Sequence, residues 1–465
     1  MTSTPRVLAL FLVLALVMSA AFFAASGREI KSDAWLYYFL AVNVSEGRGY
    51  VMSPGAQLDA PLAPYMGREP LYALVLGAIF AVTGPGLAVV FLVQVVLLAV
   101  TGFVTFLIGR EVTGSARFGI ALGAVTSTFP TLANYTVMVY REVFFTCLVA
   151  VAVYATMRAL STRRPAAFAV AGVVWGLATL CRAVVLPLPV LLVAFHVVTA
   201  TGGWRGRLGA TRAGIVMLLA TGLVLAPWIV RNAVVFGEPG LTPRSGMHFY
   251  LRASRTLLTE EELKMYAVYA VSETVANRLY PGRNLRSVGE GFFYRSASEH
   301  IEALRRQGFV GPALEEKARD EAVDLITTFP GRYVLTALIE LVKFNAFFHL
   351  PLFAEQVMEE RFNGSFVLPA VRGITKALGF LWLLLVLPGC ALLWRRGWPV
   401  VILIVLYFNA IHATVDSIGR YSVPVIPFYL LLGGATLAWL WQRRAAVAPM
   451  ALVATERLDV PVSGR

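Results

Sequence analysis

The sequence predicts an all-α, polytopic membrane protein whose polar chemistry gathers on the side away from the cytoplasm. Three observations carry this reading. Charged residues make up 14% of the 465, where a soluble chain carries roughly 25%, and the mean hydropathy is +0.71. Apolar runs close to the ~20 residues needed to cross hydrocarbon recur along most of the chain. The formal charge of +13 sits mainly in short links between those runs.

Taken in order, the candidate spans are 7–25, 87–109, 118–134, 142–159, 166–181, 184–201, 213–230, 374–394, 399–414 and 423–441. The first lacks a convincing small-residue cleavage site and has Phe22 and Phe23 near where one would lie, so it reads as a retained span. Two further apolar runs, 70–84 and 333–350, are ambiguous by hydropathy and are decided by charge. Arg110, Arg117, Arg158, Arg163, Arg164, Arg205, Arg207 and Arg212 fall on one side only if 70–84 stays at the surface. That run is short and opens with Pro70, as suits an interface helix. Keeping 333–350 at the outer surface likewise leaves Arg395 and Arg396 on the same side as Arg443 and Arg444. Clusters of this kind mark cytoplasmic loops, so the basic balance reports topology and no nucleic-acid partner is predicted. Both termini are then cytoplasmic, in a cell (inner or plasma) membrane protein.

The chain divides into a membrane core (1–230) with a first outer loop (28–86), an outer segment (231–373), C-terminal spans (374–441) and a tail (442–465). The outer segment reads as mainly helical. Its stretch 312–328 carries a thin apolar stripe at Leu314, Ala318, Ala322 and Leu325. Cys147, Cys181 and Cys390 stand singly, with no disulfide or zinc spacing.

Four places put polar residues at outer span ends. Asp33 follows a capping Ser32, where a carboxylate suits the helix dipole. Tyr140-Arg141-Glu142 opens the span at 142–159, and Arg68-Glu69-Pro70 opens the surface run. Each of these has an ordinary structural explanation, as a helix-start acid or a local Arg–Glu pair. The fourth place joins Arg182, Arg231 and the series His412, Asp416, Arg420 with Tyr421. The last three charged positions share a face if the helix continues past Ser417, which Gly419 opposes. Arginines at an outer boundary run against the positive-inside bias and need anionic partners, either carboxylates or lipid phosphates.

The ordered set of motifs resembles the GT-C glycosyltransferases, in particular bacterial relatives of protein O-mannosyltransferases and of lipid A aminoarabinose transferases. The matching residues are Ser32-Asp33-Ala34-Trp35-Leu36-Tyr37, Gly47-Arg48-Gly49-Tyr50, Arg68-Glu69-Pro70-Leu71-Tyr72 and Arg141-Glu142. Gly176 to Arg182, Ala226 to Asn232 and Gly419-Arg420-Tyr421-Ser422-Val423-Pro424 complete the series. The chain departs from both relatives: Ala34 stands where protein O-mannosyltransferases place Glu, and Arg68-Glu69 where aminoarabinose transferases place Glu-Lys.

The resemblance implies a GT-C-like bundle of about ten or more transmembrane helices, with interface helices in the first outer loop. It implies a sugar donor carried on a polyprenyl phosphate, a lipid, glycan or protein acceptor, and inversion by a single displacement. On this reading Asp33 is the base and Glu142 an acceptor-orienting or metal-binding acid. Arg420 and Arg231 clamp the phosphate, with Arg182, Lys343, Arg68, Glu69, His412 and Tyr421 as further contacts. The resemblance settles no cofactor; a divalent cation is compatible with the acids, and no cluster demands one. A polyprenyl-linked glycan transporter or flippase is the non-enzyme alternative. It fits less well, because no internal repeat is visible and the ionisable groups lie at span ends. An O-antigen ligase or polymerase is the enzymatic alternative.

Overall fold

The computed structural model describes residues 4–25, 30, 33–53, 61–243, 245–283, 285, 292–345, 367–415 and 419–456. Among them, regular structure is helical apart from a two-stranded antiparallel pairing of Val51–Met52 with Ala63–Pro64.

The first half runs α1 (Thr4–Ala25), α2 (Asp33–Ser45), α3 (Leu71–Thr83), α4 (Leu87–Thr113), α5 (Ala116–Ser127) and α6 (Pro130–Tyr135). It continues with α7 (Glu142–Thr162), α8 (Pro165–Cys181), α9 (Leu188–Thr199) and α10 (Gly203–Phe236). At ~1.5 Å per residue, the 13-residue α3 is about 20 Å long, short of the ~30 Å hydrocarbon core. It lies instead against α2, with Tyr72 edge-on to Tyr37 at 5.4 Å. The expected single span at 118–134 is broken. Phe129 precedes Pro130 and takes an extended backbone (φ −66, ψ 120), because the proline ring disfavours helix in the residue before it.

Six helical stretches are long and apolar enough to cross a membrane, four of them being α1, α4, α7 and α10. α8 and α9, expected as spans, are shorter apolar helices. Their packing rests on small residues that let backbones approach: a Cβ on Gly172 of α8 would sit 2.2 Å from the Met217 carbonyl oxygen of α10. Some buried polar groups in this core have partners, although the Ser19 and Ser127 hydroxyls have none among the described residues. Trp175 donates to the Thr156 hydroxyl at 3.0 Å, as a buried indole N–H requires.

The segment after α10, expected on the outer side, contains α11 (Ser245–Ala253), α12 (Glu260–Val271), α13 (Glu273–Leu279), α14 (Phe292–Arg306), α15 (Gly311–Thr328) and α16 (Pro330–Asn345). Thr259 and Glu262 form a reciprocal capping box at the start of α12. The predicted stripe on α15 is buried at Leu314, Ala318 and Ala322, packed with Tyr250 and Ala253 of α11 and Ile301 of α14. α16 turns away from α15 by 105°. Val334, Leu335 and Leu338 of α16 are exposed, whereas Glu340 is fully buried. α16 thus turns apolar side chains outward and charge inward, and with α15 it forms a bent pair apolar enough to be a broken span or a re-entrant segment; 346–350 lie outside the described residues.

The C-terminal part comprises α17 (Val367–Arg395), α18 (Pro399–Thr414), a 3₁₀ turn (Gly419–Val425) and α19 (Ile426–Glu456). Stretches of α17 and of the turn with α19 supply the fifth and sixth long apolar helices, while α18 is another short one. The main core cluster draws on α4, α7, α8, α18 and α19. α19 continues beyond 442, where a tail was expected.

Candidate active site

Five chain segments converge at one end of the bundle: the start of α2, the loop before α3, the start of α7, the end of α8 and the 3₁₀ turn before α19. Asp33 stands in the first turn of α2; its expected cap, Ser32, lies outside the described residues. One Asp33 oxygen accepts from Arg68 Nη2 at 2.9 Å and the other from Arg420 Nη2 at 2.7 Å. Burial alone would raise the Asp33 carboxyl, but Arg420 and then Arg68 outweigh it and hold it below the usual carboxylate range. Beyond Arg420 lies Glu142, its Oε1 3.8 Å from Arg420 Nε. Glu142 is buried, and its second oxygen makes no hydrogen bond.

Glu69 faces the other way. It accepts from Arg141 and, at 2.9 Å, from the backbone N–H of Ala183. Burial opposes ionisation, yet Arg141 and these hydrogen bonds bring the Glu69 carboxyl down to about 2. Arg141 also donates to the Cys181 carbonyl at 2.9 Å and lies over the Tyr37 ring at 5.6 Å. One ion pair therefore ties the α3 loop, the start of α7 and the end of α8 together. The sequence places Arg68 beside Glu69 and Arg141 beside Glu142, but neither adjacent pair bonds to itself. Arg68 goes to Asp33, Arg141 to Glu69, and Glu142 faces Arg420.

Local features fix these directions. The 136–139 loop that delivers Arg141 is held by Gln94 of α4, whose side-chain amide donates to the Met138 carbonyl at 2.5 Å and the Thr136 carbonyl at 3.3 Å. The turn after Arg182 is held by Tyr407 of α18, which donates to the Val184 carbonyl. Arg182 itself is 7% exposed. Its guanidinium lies 4.1 Å over the Tyr421 ring and 5.8 Å from that of Phe145, and it pairs with no carboxylate among the described residues. His412 lies tilted against Tyr421, ring centres 4.9 Å apart, and stacks on Phe344 at 5.1 Å. The shared helical face expected for His412, Asp416 and Arg420 does not form as a continuous helix, because α18 ends at Thr414 and Arg420 lies in the 3₁₀ turn. Asp416 falls outside the described residues.

Arg231 and Lys343 stand apart from Asp33. Arg231 donates to the Tyr65 carbonyl at 2.9 Å and the Tyr50 carbonyl at 3.2 Å, and lies 4.6 Å over Trp228. It props the first loop, whose Gly47 and Gly49 take positive φ of 76° and 85°, a backbone region open to glycine. Tyr50 then donates to the Arg68 carbonyl at 3.1 Å, so Arg231 reaches the site through that loop. Lys343 is 3.5 Å from Glu340, in a buried group with Arg255, Tyr266 and Tyr294. Sequence reasoning named Lys343 but missed Arg255, Tyr266 and Tyr294 around it, and it missed Arg252, fully buried, which donates to Thr336 at 2.9 Å and to the Ala413 carbonyl at 3.0 Å. Among the described residues no three His, Cys, Asp or Glu side chains are grouped as metal ligands.

The arrangement offers one carboxylate held between two guanidiniums, a second buried acid, and a third cation on an aromatic face. No curated protein and no solved structure matches the chain. Residues 63–230 match the family described as dolichyl-phosphate-mannose-protein mannosyltransferase; the matched stretch contains Arg68, Glu69, Arg141, Glu142 and Arg182 and leaves Asp33 and Arg420 outside. This match supports the resemblance drawn from the motifs, that of a membrane glycosyltransferase of the GT-C type.

Proposed function

We propose that the protein transfers a sugar from a polyprenyl-phosphate donor to a hydroxyl acceptor on the extracytoplasmic face of the membrane, with inversion at the anomeric carbon. The observation that carries this reading is the Asp33 carboxylate bridged by Arg68 and Arg420 at 2.9 and 2.7 Å. Phosphate is already a good leaving group, so a general acid is unnecessary, and the protein must supply a base and a counter-charge. The acceptor oxygen forms the new bond to C1 while the C1–O bond to phosphate breaks. The acceptor proton passes to Asp33, and the polyprenyl phosphate departs as an anion beside Arg420.

Pairing with two guanidiniums makes Asp33 a weak base as arranged here. A donor phosphate drawn to Arg420 and Arg68 competes for those guanidiniums, which raises the basicity of Asp33 when the donor is in place. Arg182, without a carboxylate of its own, is a third phosphate contact. Tyr421, His412 and the Glu69–Arg141 pair hold that wall. Glu142 orients the acceptor. Lys343 and Arg231 support the site from the outer segment and the first loop.

The test is turnover of a synthetic polyprenyl-phosphate sugar in proteoliposomes. Asp33→Asn should lower turnover by about 10²–10⁴-fold, the usual contribution of a positioned base, with expression unchanged. Full activity in that variant would remove Asp33 from catalysis. Retained configuration in the product, read by NMR, would overturn the single displacement.

A further inference from the structure

The three helices that carry the site at one end also carry a cavity at the other. α7 begins at Glu142 and ends at Thr162, α8 runs from Pro165 to Cys181, and α18 from Pro399 to Thr414. The 21 residues of α7 span about 31 Å at ~1.5 Å per residue, close to the ~30 Å thickness of a hydrocarbon core. The cavity therefore lies at the opposite membrane boundary from Asp33. Its volume is about 590 Å³, within the range of small-ligand sites.

Its lining is amphiphilic. Arg163, Arg396 and His196 contribute polar groups, and Met157, Phe168 and Leu192 an apolar wall. No acidic residue is among those that line it. Neither Arg163 nor Arg396 has an ion pair or hydrogen bond from its side chain to any described residue. Arg163 also caps α7 in the left-handed conformation, with φ of 55°. Among the described residues it is the one non-glycine with positive φ. Glycine is the usual residue at such a cap, and a non-glycine held there is strained. The helix carries a guanidinium at a position where glycine would be easier.

We propose that this cavity binds the phosphate head group of an anionic, chain-bearing membrane lipid between Arg163 and Arg396, with the hydrocarbon against Met157, Phe168 and Leu192. Two guanidiniums without carboxylate partners suit a phosphate, and the apolar wall together with the depth at a membrane boundary selects a lipid over a free ion. A glycerophospholipid and a polyprenyl phosphate share this chemistry.

Native mass spectrometry of the full-length protein in neutral detergent separates the outcomes. The probes are dioctanoyl phosphatidylglycerol, farnesyl phosphate, dioctanoyl phosphatidylcholine and inorganic phosphate. The anionic lipids should be retained at least about tenfold more tightly than phosphatidylcholine or inorganic phosphate, a ratio equivalent to ~1.4 kcal/mol. Whichever anionic lipid binds more tightly identifies the source. Arg163→Gly suits the backbone at that cap, so it removes the charge without adding strain. Combined with Arg396→Ala, it should lower anionic-lipid affinity about tenfold or more while leaving thermal stability in place; each single variant should show part of the loss. Unchanged affinity in all three variants, or equal binding of phosphatidylcholine, would overturn the site. Inorganic phosphate bound as tightly as the lipids would overturn the lipid assignment.

Discussion

Replacing Glu69 by glutamine tests whether the cluster is held by the Glu69–Arg141 pair. Glu69 is 8% exposed, so solvent screens the pair little. Its carboxyl lies at about 2, against an ordinary value of 4.5. At ~1.4 kcal/mol per tenfold change in proton affinity, that gap corresponds to about 3 kcal/mol. Removing one partner of a buried pair costs about 3–5 kcal/mol by independent measurement in other proteins, so the two scales agree. The sign follows from the lowered value. Stabilisation by Glu69 is complete above pH 4.5 and is lost as pH falls towards about 2. Glu69→Gln should therefore be less stable than the parent by about 3 kcal/mol at pH 7, and the difference should shrink below pH 4.5. Cys147 and Cys181 are free and buried, so a thiol-reactive dye reports unfolding in detergent without an added label. Equal melting temperatures at pH 7, or a difference that persists unchanged at pH 3, would refute the assignment.

Other consequences follow from single contacts. Gly172→Ala would place a Cβ 2.2 Å from the Met217 carbonyl oxygen; it should destabilise the protein by about 1–3 kcal/mol, read in the same dye assay. Arg252→Met removes the donor to Thr336 and to the Ala413 carbonyl. It should loosen the 245–345 helices from the end of α18, seen as faster proteolysis within 245–345 while the long apolar helices stay intact. Gln94→Leu leaves the Met138 and Thr136 carbonyls without that donor, and should lower transfer activity by moving Arg141 and Glu142. Normal activity in that variant would separate the loop from the site.

Much of the architecture was legible because the bilayer imposes it. Length and charge placed 70–84 on the surface, and α3 is too short to cross. Asp33, Arg68, Glu142 and Arg420 were each visible as charged residues at span ends, Arg420 alone of the four as a cation against the inside bias, and they do come together. What periodicity could not show is which charge meets which. Arg68 and Glu69 are neighbours in sequence, yet their backbone directions send them to partners 35 and 72 residues away. The Arg255–Glu340 and Arg252–Thr336 contacts were hidden for the same reason: nothing local distinguishes a buried arginine of the outer segment from a solvated one. The break at Phe129 was written plainly in Pro130, and hydropathy averaging concealed it.

The separation between the two arginines that share Asp33 has a consequence for biosynthesis. Arg68 follows Asp33 by 35 residues and Arg420 by 387. At translation rates of about 5–20 residues per second, Arg68 emerges roughly 2–7 s after Asp33, and Arg420 roughly 20–80 s after it. For most of that interval Arg68 is the one of the two guanidiniums already synthesised. The second guanidinium arrives only with the final span, so a chain truncated before the Gly419–Val425 turn can insert but cannot assemble the site.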